Sequence, residues 1–147
     1  MDKLILPNGV LLGEVSKIIA EGKDVAFTPK GNSMLPFIYG GKDSVIITAA
    51  PSVKVGDIVL VKIDGKYLLH RIYEIDGDKL TLMGDGNIRG TEACMKSDVV
   101  GRVREIRREG KAIVPGDGSL WRKLLPYRRY ILGIYRRAFP SRVQKLD

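Results

Sequence analysis

One cysteine and one histidine are all that 147 residues contain of those two types. Cys94 alone can close no internal disulfide, and one His with one Cys cannot build a closed zinc site, so the sequence predicts no cross-link, metal or cofactor. A glycine loop of the phosphate-cradling kind is also missing. Long apolar runs are missing too: nothing approaches the roughly 18 residues that a membrane-spanning helix needs. The opening Met1-Asp2-Lys3-Leu4-Ile5-Leu6-Pro7-Asn8-Gly9 breaks after three apolar residues, too few for a secretory signal. The expectation is a cytoplasmic chain that reaches a membrane, if at all, peripherally.

Acid is scarce in only one place. Residues 119–147 carry eight basic residues and a single acid, Asp147, whereas residues 1–118 hold 17 basic and 16 acidic. A nearly neutral body with a strongly basic tail argues against a nucleic-acid groove in the main domain and moves the question of charged partners to the tail.

What is present divides into three stretches. Within residues 1–23, Leu11, Val15, Ile18 and Ile19 recur at helical spacing with Gly22 at the stop position, so residues 10–21 read as an amphipathic helix. Residues 24–118 hold short strand-like runs at Asp24–Thr28, Ser44–Thr48, Asp57–Ile63, Lys66–Ile75, Lys79–Met83 and Val99–Arg107. Asp64-Gly65 and Asp76-Gly77-Asp78 join neighbouring runs as hairpin turns, which predicts an antiparallel β body with flanking helices. In residues 119–147, Leu120, Leu124, Tyr127, Ile131, Ile134 and Ala138 step by threes and fours, and Pro126 kinks that helix or begins a second. Three uses of the tail are open: its apolar stripe covers the β body, its rings and arginines lie on an anionic membrane, or its Arg pairs hold nucleic acid, the least expected.

The chemistry-bearing residues fall in three patches: Gly31-Asn32-Ser33-Met34-Leu35-Pro36; Gly56-Asp57-Ile58-Val59 leading into Leu69-His70-Arg71; and Gly84-Asp85-Gly86-Asn87. Each is ordinary alone, a loop serine, a strand histidine and a turn aspartate. Together they propose a nucleophile and its base. A serine hydroxyl attacks poorly until a neighbour takes its proton, and histidine titrates in the range suited to that work. The Gly-Asn-Ser backbone could also present N–H groups to a developing oxyanion.

Those patches carry a family resemblance. Ser33-Met34-Leu35-Pro36 resembles the Ser-Met-x-Pro box of type I signal peptidases, Gly56-Asp57 their Gly-Asp strand and Gly84-Asp85-Gly86-Asn87 their Gly-Asp-Asn box. The likeness spans about residues 25–105 of the signal-peptidase and LexA-like superfamily. It implies a mainly antiparallel β body, with Ser33 as nucleophile and Asn32, Met34 and Pro36 around the substrate. His70-Arg71 is similar to the archaeal and endoplasmic-reticulum branch, whose base is histidine, and not to the branches that use lysine; Lys62 and Lys66 read as solvated. An acid beyond the third box orients the histidine in that branch, and here Asp85 and Glu92 are both candidates. The residues before Ser33 read as a soluble amphipathic helix, so the expectation is a chain with neither the membrane anchor of signal peptidases nor the DNA-binding domain of self-cleaving repressors, and neither the Ala-Gly nor the Cys-Gly cleavage dipeptide of those repressors occurs in it.

The resemblance implies a serine endopeptidase acting on a peptide or precursor protein. The rival expectation is a peptidase-fold module that binds peptide without cutting it, in a maturation or secretion pathway.

Overall fold

The computed structural model describes residues 3–5 and 12–145, and side chains from residue 14 onward. Leu11 of the expected helical face therefore lies outside the described residues. Nine strands form one sheet: β1 Lys3–Ile5, β2 Asp24–Phe27, β3 Ser44–Thr48, β4 Ile58–Ile63, β5 Lys66–Asp76, β6 Lys79–Met83, β7 Glu92–Met95, β8 Val99–Arg108 and β9 Lys111–Ile113. Their order is β1-β2-β3-β8-β4-β5-β6-β7, with β9 pairing β8. All pairings are antiparallel except β1 with β2. Both expected hairpins form, and Asp64 and Gly65 take the positive φ values of 50° and 77° that a tight two-residue turn demands.

β4 shows why the sheet holds together. Its run Ile58-Val59-Leu60-Val61 is buried throughout. Successive side chains leave a strand on opposite faces, so Ile58 and Leu60 enter one core cluster with Val25, Phe27, Val45, Ile47 and Val103, while Val59 and Val61 enter another with Ile72, Leu80, Leu82 and Cys94. An unbroken apolar run is what a strand covered on both faces requires. Each such side chain contributes about 1.5–3 kcal/mol by leaving water.

α1, Leu12–Ala20, covers part of the first cluster with Val15 and Ile19, both buried. Residues 10 and 11 of the expected helix lie outside the described residues, the helix stops one residue before the expected Glu21, and a short strand precedes it where no strand was expected. Three apolar residues before Pro7 are too few to show alternation.

The tail folds as α2 Ser119–Lys123, a single turn at Leu125–Tyr127, α3 Arg128–Ala138 and a further turn at Pro140–Arg142. Pro126 sits in the connecting turn and separates two helices. Most of the expected covering stripe faces outward, with only Leu124 and Ile131 of it half-buried. Trp121, Arg128 and Leu132 are buried, whereas Leu120, Tyr127 and Ile134 are exposed. No helix among the described residues is long and apolar enough to cross a membrane.

Candidate active site

Ser33 lies in the loop between β2 and β3, which closes through its own main chain: Leu35 N–H donates to Asn32 O, and Phe37 and Ile38 N–H both donate to Met34 O. Met34, Leu35 and Ile38 are buried, so the loop is pinned into the core on both sides of its bends while Ser33 stays half-buried. Asp43 fastens the far end, accepting from Tyr39 N–H at 2.8 Å and from the Arg108 guanidinium at 2.8 Å.

β5 delivers two neighbours in opposite directions. His70 is buried, 6% exposed, and its Nδ1 meets the carboxylate of Glu92. Register explains the meeting: Glu92 stands opposite Leu82, which stands opposite Ile72, two residues along the same face from His70. The other ring nitrogen, Nε2, points at Gly84. A β-carbon there would come within 3.1 Å of Nε2 and would collide with the Ser33 carbonyl oxygen. One at Gly86 would collide with the Asn32 carbonyl, and Gly86 N–H donates to Ser33 O at 2.7 Å. The two glycines thus let the Gly84–Asn87 turn serve as a bare backbone shelf on which the Ser33 loop and the His70 ring both rest.

Arg71, the next residue, is fully committed elsewhere. Its Nε and Nη2 donate to both oxygens of Asp85, at 2.9 and 2.8 Å, and its Nη1 donates to the carbonyls of Gly56 and Gly116, each at 2.8 Å. Burial pushes the Asp85 carboxyl above its ordinary range, against the downward pull of Arg71. Of the two candidate acids, then, Glu92 touches the histidine and Asp85 is saturated by the arginine. All three sequence patches converge here, since Arg71 ties Gly56 and Asp85 to one strand.

The other expected residues divide. Met34 lines a cleft of about 220 Å³ shared by Ser33 and His70, with Phe27, Ile38, Leu60 and Leu69 as apolar wall. Pro36 is half-buried in the turn, outside that lining. Asn32 has its carboxamide fully engaged: Nδ2 donates to Gln144 O at 2.9 Å and Oδ1 accepts from Gln144 N–H at 2.7 Å. The Gln144 side chain in turn accepts from Gly31 N–H at 2.6 Å.

Three residues of the site were not anticipated. Lys30 and Tyr67 line the cleft. The Tyr67 hydroxyl is buried without a hydrogen-bond partner among the described residues. Its place three residues before His70 was the only available signal; Gln144 gave none. The tail also braces the shelf. Trp121 Nε1 donates to Asp85 O at 2.8 Å, and Arg128, wholly buried, donates to the carbonyls of Asn87 and Trp121.

A family model described as Peptidase S24-like matches residues 3–104, which takes in Ser33, His70, Asp85 and Glu92 and leaves out the tail. No curated protein matches the chain.

Proposed function

We propose, from the premise that this chain belongs to the S24-like peptidase family, that it is a serine endopeptidase cutting a peptide or precursor protein through Ser33, His70 and Glu92. Membership supports peptidase-type function in general. The finer reading rests on one observation, that Glu92 holds Nδ1 of His70 while Nε2 faces the shelf carrying Ser33. A carboxylate on Nδ1 fixes the tautomer that leaves Nε2 able to accept a proton.

In this reading the Ser33 hydroxyl attacks the scissile carbonyl and passes its proton to Nε2. The tetrahedral adduct collapses, the carbon–nitrogen bond breaks, and the imidazolium returns that proton to the departing amine. Water, deprotonated by His70, then attacks the acyl carbon, the carbon–oxygen bond to Ser33 breaks, and the imidazolium returns its proton to the Ser33 oxygen. Glu92 offsets the imidazolium charge in both halves, and main-chain N–H groups at Ser33 receive the oxyanion. The apolar cleft accepts a substrate side chain.

A fluorophosphonate probe tests the assignment. Mass spectrometry is expected to find the adduct on Ser33, and Ser33→Ala and His70→Gln are expected to abolish it without unfolding the protein. Peptide hydrolysis that survives Ser33→Ala overturns the proposal.

The second reading, a module that binds peptide without cleaving it, draws on Asn32, whose carboxamide already grips a peptide main chain at Gln144. Undiminished peptide binding by wild-type protein that is never labelled at Ser33 would favour it.

A further inference from the structure

α3 is amphipathic in an inverted sense. Its buried side carries Arg128 and Leu132, while the side facing water carries Tyr130 and Ile134, 66% and 69% exposed, continuing into Tyr127 at 62%. Spacings of three and four put these three on one crest of the helix. Scattered single exposed hydrophobes need no explanation, but an ordered row on a helix that has a docked opposite face does.

Around α3 from the crest, on the flank toward the Gly86–Asn87 turn, lies a shallow cleft of about 440 Å³ lined by Gly86, Asn87, Arg89, Arg129 and Arg136. All three arginines are exposed. Among the described residues none of them has a carboxylate at ion-pair distance. Like charges placed around one hollow repel each other, and an anion relieves that cost. From residue 119 to residue 145 the tail contains no acid to supply one.

We infer that the exposed side of α3 docks on an anionic lipid surface, with Tyr127, Tyr130 and Ile134 in the interfacial layer and Arg89, Arg129 and Arg136 reaching headgroup phosphates from its flank. Three features select a lipid surface over another partner. Guanidinium groups match phosphodiester oxygens in charge and geometry. Tyrosine combines a ring for the acyl boundary with a hydroxyl for the headgroup layer. The convex crest gives no groove that would enclose a peptide or a strand. Gly86 lines this cleft and also donates its N–H to Ser33 O, so docking would hold the Ser33 cleft close to the bilayer.

The test is co-sedimentation of the full chain with vesicles of phosphatidylcholine alone and of phosphatidylcholine mixed with phosphatidylglycerol, at matched salt. Binding is expected only to the mixed vesicles. Replacing Arg89, Arg129 and Arg136 together by Gln is expected to weaken it on the order of a hundredfold, from about fivefold per arginine near an anionic surface. Tyr130→Ser with Ile134→Ser is expected to weaken it about tenfold or more at unchanged charge. Circular dichroism checks that both variants, altered only at exposed positions, remain folded. Equal sedimentation with the two vesicle types, or full binding by the Tyr130 and Ile134 variant, overturns the inference. So does retention of a DNA duplex at the same salt with no vesicle binding, which would assign the arginines to nucleic acid. None of these readouts depends on peptidase activity.

Discussion

His70 and Arg71 are adjacent on one strand, and each meets a carboxylate, yet the two pairs have opposite characters. Arg71 and Asp85 are both wholly buried, joined by a fork of hydrogen bonds, and the remaining guanidinium N–H group is spent on two carbonyls. Such a pair spends four of the five guanidinium N–H groups inside the protein and has almost no access to water. His70 and Glu92 are joined at one ring nitrogen, the Glu92 side chain is 32% exposed, and the second nitrogen opens on a cleft. A saturated buried pair fixes where strands and turns sit; a half-open pair can take up and give back a proton. The alternation of a β-strand is enough to separate the two roles.

The comparison can be broken from several sides. The largest expected effect is on turnover: Ser33→Ala or His70→Gln should reduce peptide hydrolysis by about 10⁴-fold or more. Thermal melting should confirm that both remain folded, because neither touches the buried pair. Next, Asp85→Asn leaves Arg71 as a buried charge without its counterion and should cost about 3–5 kcal/mol of stability, read as a lowered urea midpoint. Glu92→Gln should lower the rate about a hundredfold through loss of the charge on Nδ1. Its urea midpoint should move little, since the side chain is partly in water. If Glu92→Gln unfolds the protein while Asp85→Asn only slows it, the two roles are exchanged. The smallest effect is expected from Gln144→Ala, which removes one neutral hydrogen bond to Gly31 and should cost about 1 kcal/mol in the same titration, with Gln144→Glu keeping the acceptor and the stability.

Much of this was legible from residue order alone. The hairpins were announced by Asp64-Gly65 and Asp76-Gly77-Asp78, and the boxes around Ser33, His70 and Asp85 marked the segments that the fold brings together. The choice between Asp85 and Glu92 was not legible, because it turns on the register of β7, a four-residue strand whose sequence Glu-Ala-Cys-Met shows no apolar–polar alternation. The tail misled for a related reason. Helical spacing locates a stripe but carries no sign, and here the docked side is made by Trp121, Leu132 and a buried arginine whose partners are carbonyl oxygens and rings. An arginine whose two terminal nitrogens find carbonyl and hydroxyl acceptors can occupy the inside of a helix face, and no sum of apolar residues reports that.

The bond between Asn32 and Gln144 also orders events in time. Residue 144 is added 112 residues after residue 32, so the Ser33 loop emerges and meets its β body well before the segment that fastens it exists. Since a chain folds as it is made, N-terminal parts first, the sheet is in place before the Ser33 loop is tied down, and the clasp closes only once residue 144 has been added.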